Sequence, residues 1–198
     1  MSDDLPPKQL FVDASVFITL AEIDYLDLLD RLDGEVVVPR AVAEEISDEP
    51  AASNLDSASS DWLRIENAVE TAGVERVEHA ASHLDAKTGF GSDRDDADRD
   101  KTYRDDAFEF EGDVALLALG TVAANPVVVT DDKPLRKACK ALGISLSGSI
   151  GVLVAAVEKG VLDPDAAKES LVAMDEAGAR LSARLLRRAE KLVDSAAE

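Results

Sequence analysis

One cysteine in 198 residues, Cys139, excludes a disulfide framework and any cysteine-based metal cluster. With only His79 and His83 beside it, the chain lacks the donors of an ordinary zinc site, and these three residues read as structural or surface positions. Long apolar runs are missing too. No stretch approaches the length of a membrane span, and the opening MSDDLPPKQL is acidic where a secretory leader would be basic, with Asp13 breaking the apolar run that follows. These absences predict a soluble, cytoplasmic protein without a membrane partner. Cations are scarce: 21 Lys and Arg stand against 41 Asp and Glu, a formal net charge of -20. Nucleic-acid binders ordinarily carry a basic footprint, so this balance argues against a polyanion partner. The kind of excess alters that conclusion. Aspartate outnumbers glutamate, arginine outnumbers lysine, and aromatics make up only 4%. Such a surface suits a cytoplasm of very high salt, where screening within a few ångströms removes most self-repulsion, and predicts a halophilic source.

At 46% hydrophobic the chain is long enough for one core with an appendage. The run QLFV ends in Asp13 and leads into a helical pattern that continues through DYLDLLDRL, with Leu26, Leu29 and Leu32 at helical spacing. GEVVVP reads as a second buried strand, with Pro39 opening the helix RAVAEEI. A third strand is expected in DWLRIE and a helix through Val74, Val77 and Leu84. Residues 86–111 mix glycine with dense charge and lack a sustained period, which predicts an exposed acidic insertion. Order resumes with the helix GDVALLALGTVAA, the β-branched strand NPVVVTDD and the basic helix behind it. Helical patterns at 164–177 and 180–194 finish the chain. Strands apolar on both faces, alternating with helices, predict an α/β fold: three layers around a doubly wound, mostly parallel sheet, with a C-terminal helical extension.

Ligands of such sheets bind beyond the carboxyl ends of the strands, where strand order switches. Carboxylates occupy these places: Asp13 after LFV, Glu45 on the helix after VVVP, Asp113 at a helix start behind Gly112, and Asp131 with Asp132 after VVVT. Converging carboxylates repel unless they are protonated or share a cation. Oxygen donors without His or Cys favour Mg²⁺ or Mn²⁺, and two such ions can activate water and stabilise the leaving oxygen of a phosphodiester. Structural readings stand beside this one. Asp113 suits a helix N-terminus, Glu45 is one acid among many, and Asp131 and Asp132 suit a turn ahead of Pro134. Asp13 resists such a reading, because its flanks are apolar on both sides.

The order FVDASVFI, VVVPRAVAEEI, GDVALLAL, VVVTDDKPLRKACKALGI and SGSIGVL resembles the PIN-domain superfamily, and within it the small VapC-like branch. The resemblance covers roughly residues 10–155 and implies a PIN-like nuclease domain over 1–155, interrupted by the insertion at about 86–111. Residues 156–198 would be a helical tail packing on it. It implies a Mg²⁺- or Mn²⁺-dependent endoribonuclease, the toxin of a toxin-antitoxin pair. Metal-activated water would be the nucleophile and no covalent intermediate would form. RNA would be the substrate; an antitoxin protein and a second copy of the chain would be the partners. The family's acids fall on Asp13, Glu45, Asp113 and either Asp131 or Asp132, and its small hydroxyl positions on Ser15 and Thr130. Relatives often have glutamate where Asp113 stands, so the donor arm here is one methylene shorter.

The cations behind the aspartate pair, Lys133, Arg136, Lys137 and Lys140, lie at helical spacing and suit the phosphates flanking a scissile bond, or else a solvated face that balances neighbouring acids. A second basic stripe, Arg180, Arg184, Arg187, Arg188 and Lys191, extends an RNA track, docks an antitoxin segment, or belongs to an amphipathic helix packing Leu181, Leu185 and Leu192 on the domain. The competing class is a non-catalytic PIN-like module that binds RNA or protein, which has no need of converging carboxylates. An aspartate phosphotransferase requires a D-x-D or an early acidic pair; VDAS lacks the first, and the only strand-end pair, Asp131 with Asp132, comes too late for the second.

Overall fold

The computed structural model describes residues 6–86, 110–179 and 181–198. Five short strands form its sheet: β1 Gln9–Val12, β2 Glu35–Pro39, β3 Leu63–Glu66, β4 Pro126–Val129 and β5 Ser145–Ser147. Every pairing is parallel, in the order β3-β2-β1-β4-β5. Chain order therefore reverses between β1 and β4, the switch point of a doubly wound sheet. The central strands are apolar on both faces because helices cover both. Leu10 is in register with Val36 on one side and Val127 on the other, and Val12 with Val129. Phe11, Val37 and Val128 are fully or almost fully buried.

Helices connect the strands. Between β1 and β2 the chain forms α1 (Ala14–Glu22) and α2 (Leu28–Arg31), not one continuous helix, because Asp24 turns left-handed at φ 60°. After β2 come α3 (Arg40–Glu45) and α4 (Ala51–Ser59); the region after β3 holds α5 (Ala68–Ala72) and α6 (Val74–Leu84), separated by Gly73 at φ 83°. Next are α7 (Gly112–Val122), α8 (Lys133–Ala141) between β4 and β5, and α9 (Ser149–Glu158). α10 (Pro164–Met174) and α11 (Ala183–Ala196) finish the chain. The apolar α7, with Val114 to Leu119 all buried, lies against β1, β2 and β4, and α5, α6 and α8 pack around it.

α9 carries α10 and α11, whose Leu171, Met174, Ala189 and Val193 join the same apolar cluster as the sheet. The inner face of α11 uses Ala189 and Val193, while Leu185 and Leu192 are exposed, which corrects the expectation that those leucines pack inward. Most of the expected insertion, and Arg180 of the second basic stripe, lie outside the described residues. Among the described residues, no helix is long and apolar enough to cross a membrane.

Candidate active site

The site begins where β1 stops. Asp13 follows Val12, is 6% exposed, and keeps extended backbone at the start of α1, its N–H donating to Val129 O on β4 at 3.0 Å. A carboxylate so buried needs donors. Two hydroxyls supply them to one oxygen: Ser15 Oγ and Thr130 Oγ1 each donate to Asp13 Oδ2 at 2.7 Å. Thr130, fully buried at the end of β4, also accepts the Asp132 N–H at 3.0 Å. One threonine thus ties the ends of the two switch-point strands together.

The adjacent aspartates separate. Asp132 caps α8, accepting the Leu135 N–H at 2.8 Å, and its charge raises the pKa of Asp113. Asp131 turns the other way, to the start of α9, where its Oδ2 accepts Ser149 Oγ at 2.5 Å and Ser149 N at 3.2 Å. Gly148 makes that approach possible, since a Cβ there would stand 2.3 Å from Asp131 Oδ1.

Glu45 arrives from the last turn of α3. Its Oε1 accepts the Gly112 N–H at 2.9 Å, and a Cβ on Gly112 would lie 2.7 Å from that oxygen and 2.8 Å from Val42 Cγ2. Gly112 is therefore required by proximity. Burial of its carboxyl end, with smaller contributions from Asp13 and Glu111, raises the Glu45 pKa although the Gly112 bond opposes the shift. Asp113, one residue on, is half-buried, and its carboxylate makes no hydrogen bond or ion pair with the described residues. Burial first, then the charges of Asp13, Asp132, Glu45 and Glu111, push its pKa up to about 7.

Asp13 at the end of β1, Glu45 on α3 and Asp132 at the end of β4 thus lie near enough to Asp113 on α7 for their charges to raise its pKa. Among the described residues no group of three or more His, Cys, Asp or Glu side chains is arranged to hold a metal ion as it stands. The donor chemistry nevertheless fits a hard cation. Asp13 Oδ1, both Asp113 oxygens and Asp132 Oδ2 accept no hydrogen bond from the described residues, yet no buried side-chain oxygen there lacks a partner, so these oxygens reach solvent.

Arg136 is turned inward. Its Nη1 donates to Thr130 O and Ser147 O, both at 2.6 Å, bracing the ends of β4 and β5. Lys133, Lys137 and Lys140 are exposed on α8. Glu111 was hidden from sequence reasoning because it closes the charged stretch read as insertion, and its only signal is its place beside Gly112. No curated protein matches the chain. A family model described as the PIN domain matches residues 9–87 and 109–195, most of the sequence and every converging acid, and the chain belongs to the PIN domain family.

Proposed function

We propose that the chain is a divalent-metal-dependent endoribonuclease of the VapC-like kind, the toxin of a toxin-antitoxin pair. PIN domains are generally nucleases. The observation that carries the reading is the half-buried Asp113 carboxyl, pushed up to about 7 by burial and by acids from four other points of the chain. An acidic cluster this costly to a metal-free fold is the kind of arrangement found at functional sites. Asp13, Glu45, Asp113 and Asp132 would hold Mg²⁺ or Mn²⁺, and Asp131 would prop α9 in its place. When bound, such a cation supplies an activated water and neutralises charge on the phosphodiester.

The chain's own residues position and orient. The Ser15 and Thr130 hydroxyls fix Asp13 Oδ2 and leave Oδ1 free of hydrogen bonds from the described residues; the Gly112 N–H fixes Glu45 Oε1. Lys133, Lys137 and Lys140 recur on one exposed face of α8 and would hold RNA phosphates, with Arg136 bracing the strands behind them. Leu185 and Leu192, 41% and 45% exposed on α11 among Arg184, Arg187, Arg188 and Lys191, would seat the antitoxin, and a homodimer belongs to the same reading.

The test is cleavage of a mixed RNA pool at high KCl, with Mn²⁺ or EDTA, by the wild type and by Asp13→Asn. Metal-dependent cutting that the variant loses while remaining folded is the expected result. Cutting retained by the variant defeats the assignment of Asp13. Metal-independent RNA binding without cutting supports the non-catalytic module.

A further inference from the structure

The two histidines that the sequence sets aside stand together. His79 and His83 are one turn apart on α6, both exposed, on the side of the helix opposite the buried Val77, Ala80 and Ala81. Their rings meet edge to face with centroids 4.8 Å apart, and their Nε2 atoms are 3.3 Å from each other. The nitrogens are therefore the near edges of the pair. A tetrahedral ion holding two imidazole nitrogens at about 2.0–2.1 Å sets them about 3.3–3.4 Å apart, so the separation matches the bite of zinc, and rotation of the two exposed rings would turn both lone pairs to one point. Helix geometry fixes this spacing, because residues four apart stack on one face.

We propose that His79 and His83 form a two-imidazole site for a borderline divalent cation, Zn²⁺ being the probe of choice, separate from the carboxylate cluster. Solvent completes the coordination. The surroundings favour a cation: Glu75, Glu78 and Asp85 are exposed acids on the same stretch, against the single Arg76. In the metal-free pair the two Nε2 atoms lie within hydrogen-bond distance, and the tautomer that carries a proton on one of them makes it the donor. Binding requires both Nε2 lone pairs, so the proton on the donor ring transfers through solvent to its Nδ1 and both rings bind as neutral imidazoles. Nitrogen donors distinguish this site from the oxygen cluster. It should follow the order Cu²⁺ over Ni²⁺ and Zn²⁺, with Mn²⁺ weakest and Mg²⁺ without effect.

Calorimetric titration of the full chain with Zn²⁺, in excess Mg²⁺ to occupy the carboxylates, tests this. The wild type is expected to take up one more Zn²⁺ than His79→Gln/His83→Gln. Each single variant should bind it at least about tenfold more weakly, because the chelate loses an arm. Both positions are exposed, and matching metal-free melting curves establish that the variants are folded. Equal Zn²⁺ uptake by wild type and double variant overturns the proposal. So does a site that survives the histidine changes but disappears in Asp113→Asn, which would place the Zn²⁺ on the acids.

Discussion

Replacing Asp113 with Asn tests the electrostatics of the site without any substrate. In the folded chain this carboxyl has a pKa of about 7 against an ordinary 3.8, with burial as the largest cause and Asp13, Asp132, Glu45 and Glu111 following. An acid that binds its proton more tightly when folded contributes stability in full below the ordinary value. That contribution is lost as pH rises through the folded one. The gap between 3.8 and about 7 corresponds to at most about 4 kcal/mol at about 1.36 kcal/mol per pH unit, reduced because solvent screens the half-exposed carboxyl and the neighbouring acids relax together. The metal-free wild type should therefore lose stability relative to Asp113→Asn between about pH 4 and about pH 8, by up to about 4 kcal/mol. Denaturant unfolding in EDTA at fixed KCl measures it, and the difference between the two proteins removes the background of a chain carrying -20. Parallel pH profiles would refute the desolvated acid cluster.

Three further outcomes are expected. Thr130→Val removes a donor from Asp13 and orphans the Asp132 N–H, so it should cost about 1–3 kcal/mol in denaturant unfolding and lower RNA cleavage. Gly112→Ala drives a methyl against Glu45 and Val42, and a destabilisation of about 1–3 kcal/mol is expected together with reduced cleavage; wild-type values in both assays would mean that α3 and α7 are not held this close. Cys139 is fully buried and its thiol pKa is pushed up to about 11, chiefly by burial and then by Asp113, so a thiol reagent at about pH 8 should label it only as fast as the chain opens.

The sheet was legible because Val36 to Val38 and Val127 to Val129 are apolar without interruption, which a strand buried on both faces requires. Asp13 was legible for the complementary reason, a charge with apolar flanks. The short β5, with serine at both ends, carries too little pattern to be seen. α4 carries Ala51, Leu55 and Ala58 on its buried face, but the serines among them make the stretch look like a loop. The different partners of Asp131 and Asp132 are not a local property at all. It depends on Ser149, eighteen positions away from Asp131, arriving at the head of α9. Arg136 shows the same limit: helical spacing sets it beside the lysines, while its Nη1 reaches back to carbonyls at two strand ends.

The bond between Thr130 and Asp13 spans 117 positions, and this separates the birth of the site's first acid from its completion. At about 5–20 residues per second, a ribosome needs about 6–23 s to travel from one to the other. For most of that interval the growing chain carries Asp13 and later Glu45 and Asp113, but neither β4 to set beside β1 nor Asp132 beyond it. A product that stops short of β4 therefore lacks both the strand that flanks Asp13 and the threonine that holds it.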